Sequence, residues 1–251
     1  MNSSRPDPAP AALPARPSAD PRQRWRIAFR RDHGAPALEQ REQLALWEAG
    51  LTASGLPLQG LELPVPRPRL VFGAPLPVGM PAERELLDLF LIERRPVAEI
   101  RAALASALPA GHELVDIHDI WLGEPALPAQ VVAADYLVAL DGGPAADEAG
   151  FARLRAAVER FLAASSLPRT REKSGRSVEY DLRPLVADLQ VVEGDAREGG
   201  SAGAIRMRTR FDPERGVGRP EEVVAALSEM VGVPLIIASV LRERVVLAGE
   251  S

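Results

Sequence analysis

The sequence predicts an α+β fold of two tandem split-βαβ units with mainly antiparallel sheets. Three observations lead there. Short apolar stretches with the period of a strand are interleaved with stretches of helical period. Their order, β-α-β-β-α-β, occurs once before residue 124 and again, with one added strand, after residue 128. Glycine and proline between Gly123 and Pro128 mark a joint between the two sets.

Element by element, the first set opens with a half-buried strand, Arg24 to Arg30, that puts Trp25, Ile27 and Phe29 on one face. Leu38 to Ser54 reads as a helix on Leu44, Trp47 and Leu51, stopped by Gly55. Gly60 to Pro68 holds three prolines and is a loop. Arg69 to Leu76 is a short strand. Glu83 to Ile92 is a second, although its Leu and Glu content also suits a helix. Pro96 opens a helix with Val97, Ile100, Leu104 and Leu108 on one face, and His112 to Leu122 closes the set as a strand. This is the ferredoxin-like arrangement.

In the second set, Val131 to Leu140 is a strand and Asp147 to Ala164 an amphipathic helix. Arg169 to Gly175 and Ser177 to Leu182 pair as a hairpin, and Pro184 to Leu189 forms a short helix. Ala204 to Phe211 is a strand. Pro220 to Met230 is a helix, with proline at its first position, two Glu in its first turn and Gly232 beyond its end. Leu235 to Leu247 is the last strand. The domains therefore read as 23–124 and 129–248, behind a proline-rich tail, 1–22, too polar to offset its ordering entropy.

Composition narrows the function. Apolar residues make up 46 % of the 251, enough for a real core, but aromatics only 4 %. There is no cysteine, which excludes disulfides, thiolate metal sites and an iron–sulfur cluster held by this chain. It also fits a reducing, cytoplasmic setting. No apolar run approaches the ~20 residues of a membrane helix. The net charge of −5 argues against a wholesale nucleic-acid coat. Lys173 is the only lysine, so arginine richness by itself says little, and only its clustering is informative.

Two clusters stand out. Arg67 and Arg69, on a stiff Pro66–Pro68 frame, suit phosphate or carboxylate, or simply a corner. Arg169, Arg171, Lys173 and Arg176 concentrate positive charge on the hairpin of an otherwise acidic protein, which suits a partner, a nucleic acid or plain solvation. Asp181 beside Arg183 reads as a general base with an anchoring cation, or as an ion pair fixing a corner. His112, Asp116 and His118 would share one strand face, where a fourth ligand could complete a metal site. Gly216 and Gly218 lead into the Pro220 helix, but Glu221 and Glu222 would repel an anion there. Gly194 to Gly203 is a charged, Gly-rich loop. No nucleophile–base pattern is visible.

Two blocks carry a family resemblance. Thr170 to Arg176, followed by Val178 to Pro184, resembles the region after the middle of the radical-SAM-linked proteins, a bacterial family built on a domain of unknown function. Pro66 to Gly79, then Glu85 to Leu89, is similar to the family's other signature. The resemblance spans Arg24 to Val246. It implies an accessory role: presenting a substrate, such as RNA, to a radical SAM enzyme. SAM and the cluster would then sit on that partner, with no cofactor on this chain. The ligand surface expected from it joins Arg67 and Arg69 to Arg171, Lys173 and Arg176. A stand-alone enzyme using Asp181 and Arg183, or a structural protein making subunit contacts through the hairpin, is the alternative. Where the family shows a Phe-Leu-Ser-His-Leu-Asp-like segment, this chain has Pro36 to Glu42, without the polar set, and Leu61 to Pro66 replaces a Gly-Phe-Asn-Pro-like approach.

Overall fold

The structure, a computed structural model, describes residues 20–141, 148–173, 175–193 and 203–250. The tail to residue 19 and most of the Gly194–Gly203 loop lie outside the described residues.

The first half runs β1 (Gln23–Arg31), α1 (Gln40–Ala53), β2 (Leu70–Phe72), β3 (Ala82–Leu91), α2 (Val97–Ala107) and β4 (His112–Ile120). β1 pairs antiparallel with both β3 and β4, and β2 pairs with the outer side of β3, which gives the order β4-β1-β3-β2. The alternation read from β1 decides its packing. Trp25, Ile27 and Phe29 bury against Trp47 and Leu51 of α1 and Ile100 and Leu104 of α2. α1 and α2 approach closely at Gly50, where a Cβ would lie 2.1 Å from the Ala107 carbonyl.

The second half runs α3 (Leu127–Gln130), β5 (Val131–Leu140), α4 (Glu148–Ala163), the β6 (Pro168–Lys173) and β7 (Arg176–Asp181) hairpin, β8 (Val186–Glu193), β9 (Gly203–Asp212), β10 (Gly216–Val217), α5 (Pro220–Val231) and β11 (Ile237–Leu247). Here the order is β11-β5-β9-β8, all antiparallel. Leu154, Val158 and Phe161 of α4 and Val223, Val224 and Leu227 of α5 pack on Ala134, Tyr136, Val138, Ile205 and Met207. The hairpin forms its own two-stranded sheet.

The two halves share one nine-stranded sheet. β3 and β11 meet in parallel, with Arg242 opposite Ala82. This seam has little backbone pairing and is held by side chains. Arg242 grips Glu85 through Nε (2.6 Å) and Nη2, and donates from Nη1 to the Pro75 carbonyl at 2.9 Å. Both partners are buried, at 1 % and 3 % exposure.

Two expectations need correction. Pro184 to Leu189 is not a helix. Only Arg183–Leu185 turn, as one 3₁₀ turn, before β8 begins at Val186. Val186, Val191 and Val192 suit a strand, and β9 offers an edge to pair with. Second, His112, Asp116 and His118 do not share a face. A bulge shifts the register, so that Phe29 faces Leu114 while Ala28 faces Asp116. His112 therefore packs with Phe29 and Trp47 under α1, while Asp116 and His118 emerge on the opposite side.

Candidate nucleic-acid interface

Strand pleating sends alternate side chains to the face away from α1, α2, α4 and α5. That face carries Arg24 and Arg26 of β1, Arg84 and Asp88 of β3, Asp116 and His118 of β4, Asp135 of β5, and Arg206, Arg208 and Arg210 of β9. Two arrangements recur on it, one in each half. In the first, Asp88, fully buried, accepts from Arg24 (2.9 and 2.6 Å) and from Arg26 (2.7 and 3.0 Å). In the second, Asp135 accepts from Arg208 (2.7 and 3.0 Å) and from Arg244 (2.8 Å). Burial pushes the Asp135 carboxyl up, but the two guanidiniums outweigh it and hold its pKa below the usual value. The first cluster sets two cations against one anion, whereas in the second Arg208 also faces Asp188 across the β8 pairing.

The connection from β4 to β5 crosses this face. Arg24 donates to the carbonyls of Glu124 (2.6 Å) and Pro125 (2.8 Å), and Leu127 packs among Ala28, Leu86, Val131 and Val245. The crossing segment divides the surface into grooves. One, about 270 Å³, is lined by Arg22, Arg24, Arg69, Gln59, Phe90 and Glu124, among others. Its charged lining is mostly cationic. Arg69 stacks over Phe90, 4.0 Å from the ring centre, and bonds Gln59 at 3.1 Å. The other groove, about 650 Å³, mixes donors and acceptors: Arg26, Arg84, His118 and Arg244 with Asp119, Glu124, Gln130 and Glu250. Leu86, Val245 and Leu247 add apolar surface to its lining.

Trp121 stands where the crossing begins. It is 76 % exposed. Its ring lies on the turn closed by the Glu124 N–H to Trp121 carbonyl bond, so close that a Cβ on Gly123 would meet the ring at 2.5 Å. Glycine at 123 is what lets an exposed indole lie flat there. A solvent-facing ring that shares its groove with guanidiniums has the geometry to stack on a flat aromatic ligand.

The residues singled out from the sequence fall in several places. Arg69 lines the smaller groove, whereas Arg67 pairs with Glu48 of α1 at 2.6 Å. Arg171 belongs to the other half. It lies over Tyr180 (4.7 Å) with its Nη2 2.8 Å from where a Gly216 Cβ would be, and shares no described partner with Arg67 or Arg69. The side chains of Lys173 and Arg176 lie outside the described residues. Asp181 accepts the N–H groups of Leu167 (2.7 Å) and Arg183 (3.0 Å). Burial raises its pKa, and these bonds and one from Ser166 lower it further than burial lifts it. Arg183 donates to the Leu162 and Val186 carbonyls. The pair thus ties the end of α4 to the start of β8. Among the described residues, no group of three His, Asp or Glu side chains is placed to hold a metal.

Trp121, Gly123 and the arginines of β1 and β9 were not singled out from the sequence. A signal for the arginines existed: Arg206, Arg208 and Arg210 recur at period two, as Arg24 and Arg26 do. That spacing marks one strand face. It does not say whether helices cover that face.

A family model described as an uncharacterized protein conserved in bacteria (DUF2344) matches residues 24–217. The chain belongs to that family. The matched span includes both grooves' contributions from β1, β3 and β4, together with Trp121 and the β9 arginines, and ends before α5 and β11 of this DUF2344 chain. No curated protein is similar to it in sequence. Solved structures similar in shape include two complexes. One is a Cbf5-Nop10-Gar1 complex, at 12 % identity and a TM-score of 0.46, covering 88 % of this chain and 48 % of the other. The second is an archaeal box H/ACA sRNP Nop10-Cbf5 complex, at 13 % identity and 0.40, covering 87 % and 46 %. The DUF2344 chain spans about half the length of the chains it matches.

Proposed function

We propose that this DUF2344 protein is an accessory binding protein that holds RNA on the sheet face turned away from its four long helices and presents it to a radical SAM enzyme. The observation that carries the binding half is Trp121, which is exposed, lies against Gly123 and lines the larger groove together with Arg26, Arg84 and Arg244. The smaller groove offers a phosphate the exposed guanidiniums of Arg69 and of Arg22, whose partner Asp20 is itself exposed, above the buried Arg24. The indole suits a base, worth about 1–3 kcal/mol by stacking. The larger groove, with carboxylates, guanidiniums and an amide, suits the edges of an unpaired base. The radical SAM partner rests on the family resemblance alone. The strand orders β4-β1-β3-β2 and β11-β5-β9-β8 support reading the halves as two tandem ferredoxin-like units. Asp181 and Arg183, held by backbone groups, favour this binding reading over a stand-alone enzyme.

Fluorescence anisotropy with labelled single-stranded RNA tests the binding half. Trp121→Ala is expected to weaken binding about tenfold, in line with one lost stacking contact. Gly123→Ala should weaken it too, because the added Cβ displaces the ring, while the thermal midpoint stays put. Wild-type protein with no affinity for RNA at low salt, or Trp121→Ala with unchanged affinity, would refute the reading. Co-elution with the radical SAM enzyme of the same cell tests the partner separately.

A further inference from the structure

The larger groove does not stop at the seam. Arg244 lines it and also donates to Asp135, whose other oxygen accepts from Arg208 of β9. One carboxylate thus links the groove to the second half. On β9 the same face continues with Arg206 and Arg210, both exposed. Arg206 is paired with Glu243 at 3.0 Å, half-exposed and open to exchange for a phosphate. The paired strand β5 keeps a low profile beside them, with Ala133, Leu137 and Ala139 between the charges. None of the four long helices packs on this side, since the cores of α4 and α5 take Ala134, Tyr136, Val138, Ile205 and Met207 from the other.

From β4, which Trp121 follows, through β1, β3, β11 and β5 to β9 is five strand spacings, about 24 Å. A mononucleotide seated at Trp121 cannot reach the β9 arginines. A continuous single strand can, and none of the four long helices covers the sheet between them. We propose that the ligand is a single-stranded polynucleotide whose backbone runs from the Trp121 grooves across the seam onto Arg208, Arg206 and Arg210, so that both halves share one footprint. This rests on the RNA-binding reading above.

The test is a length series of oligouridylates, from dinucleotide to dodecamer, against wild type, Arg206→Glu/Arg210→Glu, and an Arg101→Glu control on the far side of the molecule. Wild-type affinity should rise with length and then level off. The double variant should bind short oligomers like wild type, lose the gain from length, and show a salt slope lower by about two phosphate contacts. Arg101→Glu should leave the long-oligomer affinity near wild type. If wild-type affinity is independent of length, or the double variant keeps the whole gain, the shared footprint is wrong although RNA binding stands. If no oligomer binds at any length, the underlying reading fails with it. A duplex of the same length binding as tightly as the single strand would also overturn the proposal.

Discussion

Replacing Arg242 by methionine would remove one partner of a buried ion pair and leave the other. Glu85 would stay at 3 % exposure, without the guanidinium that now satisfies both of its oxygens, and the Pro75 carbonyl would lose its donor. Breaking a buried pair from one side costs about 3–5 kcal/mol, because the abandoned charge cannot regain water. That is a large share of the ~5–15 kcal/mol that keeps a domain folded. At about 2–4 °C per kcal/mol for a chain of this size, the thermal midpoint should fall by roughly 6–20 °C. Urea unfolding followed by circular dichroism gives the free energy directly. The decisive comparison is the double variant Glu85→Leu/Arg242→Met, which removes both charges and fills the same space. It should recover most of the loss, because well-packed apolar replacements of buried pairs are near neutral or better. If Arg242→Met unfolds within about 1 kcal/mol of wild type, the seam is not held as argued here. A double variant as unstable as the single one would also refute it, since the loss would then come from packing and not from an abandoned charge.

Two more outcomes follow from the geometry. Asp181→Ala should cost about 1–3 kcal/mol, by leaving the Leu167 and Arg183 N–H groups without an acceptor, and should not change RNA affinity; a loss of binding with intact stability would point back to chemistry at Asp181. Burial between Phe29 and Trp47 pushes His112 below its ordinary 6.5, so the folded state favours the neutral ring. Its contribution is complete above about pH 6.5 and is lost as pH falls through the lowered folded value. Urea midpoints should therefore fall as the pH is lowered below about 6.5, and His112→Phe should flatten that step.

Much of the fold was legible in the chain because its elements obey simple periods. Trp25, Ile27 and Phe29 alternate and lie on one face as expected, and α5 starts at Pro220 and ends at Gly232 as its caps require. The missing strand, β8, follows a proline and needs β9 as its partner, which is a non-local cause. The bulge in β4, which leaves Val115 unpaired, is visible only in the register with β1, a partner far away in sequence. The site was harder still. Arg24 and Arg26 look like the wet side of a half-buried strand, yet they are buried, because residues some hundred positions later cross over them. Trp121 looks like the last apolar residue of a strand and is instead among the most exposed large apolar side chains described.

That crossing segment has a practical consequence. Gly123, Pro125 and Pro128 advertise a free joint, the place to split the protein or to insert a tag. Yet the carbonyls of Glu124 and Pro125 are what Arg24 holds, and Arg24 is half of what satisfies Asp88. A cut or an insertion there would expose an aspartate that is now wholly enclosed. The most tempting place to take this protein apart is a stitch in its interior.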